Sequence, residues 1–160
     1  MTTNKKLYVL IAPQCSGKST WVKANIESLN NAYVASTDDI ITSTYPELSY
    51  NEAYEKTDFK TAKRVMREGM EEAIKNGYDI IVDRTNMKTK SRKEFLNSVG
   101  KKYEKIAIVF PWDKETFLKR NEERMLKEGK NISLKLWEDF CGNYQTPTKE
   151  EGFDKIIFLK

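Results

Sequence analysis

The stretch IAPQCSGKST, Ile11 to Thr20, decides how this chain folds. It closes the short apolar run LYVLIA (7–12) and leads into KSTWVKANIESL, where Trp21, Val22, Ile26 and Leu29 fall near helical spacing. A buried strand, a turn of small residues and a helix therefore meet at Ser16-Gly17-Lys18-Ser19. That is the context in which the pattern G-x-x-x-x-G-K-[ST] binds phosphate. Backbone N–H groups of the loop and first helical turn point at the anion, the lysine neutralises its charge, and the hydroxyl reaches a Mg²⁺ ion. On this reading Ala12, Pro13, Gln14, Cys15, Ser16, Gly17, Lys18, Ser19 and Thr20 form the nucleotide-phosphate site, with Ser19 on the metal.

Ala12 departs from the pattern, which has glycine there. The first glycine only begins the turn, and a single methyl fits if φ stays negative. Gly17, beside the lysine, is where the backbone must come nearest to phosphate. Cys15 occupies a free position of the loop and has no base beside it in the sequence.

One hundred and sixty residues suit a single domain with a proper core. The chain has no histidine, which removes Ser-His-Asp triads, Cys-His pairs and most zinc chemistry. Acid–base work falls to a carboxylate, a lysine or a tyrosine. Cys15 and Cys141 lack metal-ligand spacing, and a reduced, cytoplasmic protein is expected. The opening MTTNKKLYVLIAP lacks the pattern of a signal peptide, and no apolar run approaches a membrane span. Residues 84–135 carry 15 Lys/Arg against 7 Asp/Glu, whereas the remainder carries 13 against 17. Such a basic segment suits an anionic partner, or equally a solvated surface.

Further buried strands are expected at 32–36, 78–83, 105–110 and 153–160. Helices are expected over about 50–76, ending at Gly77, from Thr89 to Gly100, from Lys114 to Gly129, and after Ser133 as an N-cap. Five apolar strands alternating with helices predict an α/β fold of the P-loop NTPase kind: a mainly parallel five-stranded sheet with helices on both faces.

In such sheets ligands bind beyond the C-terminal strand ends. ASTDDIITS puts Asp38 and Asp39 there; read as extended chain, one faces the cleft and its neighbour turns away. One of them is placed to orient and deprotonate an acceptor hydroxyl, the alternative being an N-cap for the next turn. VDRTN ends the third strand at the same edge, with Asp83 placed for the Mg²⁺ hydration shell or the acceptor, and Thr85 and Asn86 for hydrogen bonds to substrate. Arg120 and Arg124 stand one helical turn apart and can close over phosphates. Lys119, Glu123 and Lys127 share their spacing, so helix composition alone favours a salt-bridged solvent face.

The order SGKST, TDD, VDRTN and PWDKETFLKRNEER resembles the kinase module of phage polynucleotide 5′-kinases of the T-even type. The end, NYQTPTKEEGFDKI, is similar to that of animal DNA-repair polynucleotide kinases. The resemblance spans nearly the whole chain and implies transfer of the ATP γ-phosphate to the 5′-hydroxyl of DNA or RNA, in the cytoplasm (the host's, if phage-encoded). It implies Asp38 as general base, Asp83 as the Asp of the D-x-T-N element, Lys18 and Ser19 on phosphate and Mg²⁺, and Arg120 and Arg124 as lid arginines, within a lid region of about 114–135. Arg84 joins Asp83, Thr85 and Asn86 on the expected substrate side.

Two departures stand out. The phage pattern R-D-D-x-R has arginines where this chain has Thr37 and Ile41, the second gripping the acceptor phosphate. Lys60, Arg64, Lys88 and Arg92 become candidates for that task. The D-x-D-G-T motif of an attached 3′-phosphatase is absent, which points to a kinase-only chain. A P-loop kinase of a nucleoside, sugar or antibiotic is the alternative function, and a non-catalytic binding module with a degenerate loop is the third.

Overall fold

The computed structural model describes residues 5–160. Its elements are β1 (Lys5–Ile11), α1 (Lys18–Asn25), β2 (Tyr33–Ala35), α2 (Thr37–Thr44), α3 (Tyr50–Lys56), α4 (Phe59–Asn76), β3 (Ile80–Val82), α5 (Thr89–Ser98), β4 (Tyr103–Val109), α6 (Lys114–Glu128), α7 (Leu134–Gly142) and β5 (Lys155–Phe158). The five strands form one sheet in the order β2-β3-β1-β4-β5, and every neighbouring pair is parallel.

Parallel strands joined through helices put apolar surface on both faces of the sheet, so central strands read as continuous hydrophobic runs. β1 does so. Leu7, Val9 and Ile11 enter one core cluster with Met66, Met70, Ala73 and Phe95, whereas Leu10 enters a second with Val22, Ile106 and Ile108. Adjacent β1 residues thus feed opposite faces, the period of two of a strand. With β1 flanked by β3 and β4, the loop after Ile11 emerges at the middle of the sheet's C-terminal edge.

The expected helix over 50–76 is two helices. Asp58 is extended (φ −84°, ψ 100°), and its carboxylate accepts from the Lys60 N–H and the Thr61 hydroxyl, capping a fresh start. The local N-cap chemistry of aspartate separates the two helices at this point. Gly77 and Gly129 end α4 and α6 in left-handed conformation and the Ser133 hydroxyl accepts from Leu136 N–H, as expected, whereas α5 stops at Ser98, where Val99 turns extended (φ −99°, ψ 146°) before Gly100 is reached. Among the described residues no helix is long and apolar enough to cross a membrane.

Candidate active site

The loop between β1 and α1 closes over its own lysine. Lys18 Nζ donates to the carbonyls of Ala12 (2.8 Å) and Pro13 (3.0 Å). Burial lowers the Lys18 pKa to about 8; Asp83 and Asp38 oppose that shift, and Lys130 and Arg124 add to it. Gly17 takes φ 95°, a conformation that a side chain strains, immediately before the first turn of α1. Among the described non-glycine residues, positive φ belongs to Cys15, Asn31 and Asn86. Ala12 is not one of them: it is fully buried, and its N–H donates to Thr85 O at 3.1 Å. The methyl therefore packs into the core without distorting the turn.

α6 crosses this loop. Arg120 Nη1 donates to Cys15 O at 3.0 Å, and Arg124 Nη1 reaches Cys15 Sγ at 3.3 Å. Arg124 also pairs with Glu128 at 3.8 Å along the helix. Their i, i+4 spacing lets both guanidiniums come down on one loop residue.

The two aspartates do not sit on extended chain. Both belong to the first turn of α2, whose N-cap is Ser36, its hydroxyl accepting from Asp39 N–H at 3.2 Å. Helical geometry replaces the expected opposition, and both residues line the same cleft. Asp38 Oδ1 accepts from the Tyr50 hydroxyl at 2.6 Å, and Oδ2 from Lys130 Nζ at 2.6 Å. Burial alone would raise the Asp38 pKa, but the ammonium and the two hydrogen bonds outweigh it and hold the carboxyl below its ordinary value. Asp39 is shifted the other way, by burial and then by the charge of Asp38.

In the sequence Lys130 is one lysine of a basic segment, with no local signal that sets it apart. It is 7% exposed, and its ammonium also lies 4.4 Å from the Tyr50 ring centroid. Gly129 makes the approach possible. A Cβ built there would meet Ser49 Cβ at 3.3 Å, so the end of α6 packs tightly on the start of α3 and delivers the next residue to Asp38.

The cleft enclosed by these elements measures about 1250 Å³. The loop from Gln14 to Thr20, Asp83, Arg84, Thr85, Arg120 and Arg124 share it with the aspartates. Asp83 follows β3 directly; burial pushes its carboxyl up, Lys18 opposes the shift, and Asp39 and Asp38 reinforce it. A depression of about 340 Å³ adjoins the same loop, sharing Cys15, Ser16 and Arg120 and walled by Phe110, Trp112 and Trp137.

Other candidates lie elsewhere. Asn86 is 2% exposed, and its amide donates to Leu10 O (2.7 Å) and Arg84 O (3.3 Å), bracing the turn after β3 rather than lining the cleft. Arg92 is fully buried and grips Glu151 with two hydrogen bonds (2.8 and 3.0 Å), besides the carbonyls of Asn86 and Gln145. It is a strut between α5 and the turn before β5. Arg64 is exposed on α4 beside Glu68, and Lys60 and Lys88 are exposed too, none of them lining the cleft. Position 41, where the phage pattern has an acceptor arginine, is a buried isoleucine at 1% exposure.

Solved structures share this fold. A chain of the Pnkp1/Rnl/Hen1 RNA repair complex is similar over 89% of this chain and 45% of its own length, at 21% identity and TM-score 0.73. This chain thus spans less than half of that one. A fungal RNA kinase matches over 99% of this chain and 76% of its own, at 18% identity and TM-score 0.57. A gluconokinase from Sinorhizobium meliloti 1021 matches over 99% and 83%, at 13% identity and TM-score 0.54. The family model described as AAA domain matches residues 7–147, the span from β1 through the loop, both aspartates and the arginines of α6. On that match the chain belongs to the AAA domain family.

Proposed function

We propose that this protein is an ATP-dependent polynucleotide 5′-hydroxyl kinase, acting on the ends of DNA or RNA. The observation that carries the reading is the convergence on one cleft of the loop with Lys18, the arginine pair of α6, and an aspartate clamped by Lys130 and Tyr50. The likeness in fold to a chain of an RNA repair complex and to a fungal RNA kinase adds support.

In this reading the β- and γ-phosphates of the donor lie on the loop N–H groups and Lys18, with Arg120 and Arg124 above them. The nucleoside end enters the depression walled by Phe110, Trp112 and Trp137. Asp38 accepts the proton of the acceptor hydroxyl as its oxygen attacks the γ-phosphorus and the bond to the β-phosphate bridge breaks, leaving ADP and a 5′-phosphate. Lys130 keeps Asp38 ionised and fixes its orientation. The donor set available to Mg²⁺ is hard oxygen, the Ser19 hydroxyl and the Asp83 carboxylate. An ion held by so few protein oxygens would keep waters and substrate phosphate oxygens in its shell. Bound there, Mg²⁺ would neutralise charge on the phosphates.

A small-molecule kinase is the second reading, favoured by the buried Ile41 where an acceptor arginine would stand. Incubation with γ-labelled ATP, Mg²⁺ and a parallel set of 5′-hydroxyl DNA and RNA oligonucleotides, nucleosides and sugars separates the two. Label on the oligonucleotides is expected. Label on small acceptors alone would move the protein to the second reading.

A further inference from the structure

Beyond Asp38 the cleft wall is aromatic. Tyr50 and Tyr54 stand one turn apart on α3, with ring centroids 6.1 Å apart; Phe59, at the start of α4, meets Tyr54 edge-on at 5.0 Å. All three line the cleft, together with Asn51. Tyr54 and Phe59 remain 48% and 45% exposed, although the fold has two well-filled cores to receive such rings. The interruption at Asp58 matters here, because it starts α4 afresh and sets Phe59 against Tyr54 across the break.

The wall is continuous with the site already described. Its first ring, Tyr50, donates to Asp38 at 2.6 Å and carries the Lys130 ammonium over its face. A hydroxyl held at Asp38 thus shares its cleft with two half-exposed rings, Tyr54 and Phe59, inclined at 64° so that one can offer a face where the other offers an edge, with the Asn51 amide and a buried cation on the same wall. A planar base on a sugar-phosphate chain matches that combination. Aromatic faces take bases of any sequence by stacking, which is how proteins hold unpaired nucleotides.

We propose that Tyr54 and Phe59 form a stacking shelf for the base of the acceptor's 5′-terminal nucleotide, in an unpaired strand. The proposal rests on the kinase reading above and names the acceptor subsite of that same cleft. It supplies recognition where arginines at positions 37 and 41 are missing, by base stacking in place of phosphate contacts.

The test is equilibrium binding, kept apart from turnover. Two 3′-fluorescein single-stranded oligonucleotides with free 5′-hydroxyls are compared by anisotropy, one intact and one with a tetrahydrofuran abasic residue at the 5′ end. The wild-type protein should bind the intact strand about tenfold more tightly, the scale of one base-stacking contact. Tyr54→Ala and Phe59→Ala, at half-exposed positions, should bind both strands as weakly as the wild type binds the abasic one, and Tyr54→Trp should restore the preference. Equal wild-type affinities for the two strands, no binding of either, or an alanine pair that keeps the preference would each overturn the shelf. Label transfer without base preference would remove the shelf and keep the kinase. Base-dependent binding without transfer to any oligonucleotide would do the reverse.

Discussion

The Lys130 ammonium lies 2.6 Å from Asp38 Oδ2 and joins the end of α6, whose arginines hold the phosphate loop, to the carboxylate on α2. One segment of chain thereby touches both sides of the cleft. Removing the cation should unmask burial, the largest influence on Asp38, which raises its pKa. Lys130→Met is therefore expected to move the acid limb of the pH–rate profile to higher pH and to leave donor affinity nearly unchanged. An acid limb that stays in place would detach Lys130 from Asp38 function. The stability linkage has a definite sign. A carboxyl held below its unfolded value of about 3.9 stabilises the fold above that pH and ceases to do so as pH falls through the folded value. Acid unfolding should thus be less steep in Lys130→Met, as a melting series below pH 5 would register.

Asp38→Asn keeps the shape and one acceptor oxygen for Tyr50 but loses the base. Turnover should drop roughly 10²–10⁴-fold, the usual contribution of a positioned base, while ATP affinity is retained. Single-turnover transfer at saturating ATP reads this directly. A rate within a few-fold of wild type would remove Asp38 from the reaction.

With its pKa lowered to about 8 by burial, Lys18 is partly neutral in the free protein above that pH. Donor phosphates favour the ammonium, so binding should take up a proton there and weaken as pH rises. Calorimetry at pH 8.5 in buffers of different ionisation enthalpy measures the uptake. None at pH 8.5 would mean that Lys18 is already charged.

Arg92 and Glu151 form a buried pair, with side chains 0% and 7% exposed. Breaking such a pair leaves a buried charge alone, at a cost of about 3–5 kcal/mol. Arg92→Ala should accordingly lower Tm by roughly 10 °C. The fraction that remains folded should keep normal acceptor KM. A raised KM without loss of Tm would return Arg92 to the substrate side.

Ala12→Gly, which restores the usual motif, should leave ATP KM within about twofold, because the turn is already made with Ala12 buried and outside positive φ. Stability should fall by about 1 kcal/mol from backbone entropy and the lost methyl. A marked gain in ATP affinity would show that the methyl hinders the site.

What the sequence by itself determined was local in origin. The run LYVLIA, the bare Gly17, the caps at Gly77, Gly129 and Ser133, and the alternation of strands with helices each follow from neighbours within a turn or two, and together they define a parallel α/β sheet with a phosphate loop at its edge. The i, i+4 arginines were legible as a pair for the same reason. Their target was not, since the contact with Cys15 joins residues over a hundred positions apart. Tertiary structure alone decided that Arg92 is a strut, that Asn86 braces a turn, and that Lys130, with no local signature, is the cation on Asp38. A charged side chain looks the same in sequence whether water or a carboxylate surrounds it. Only packing, here Gly129 against Ser49, determines which environment it enters.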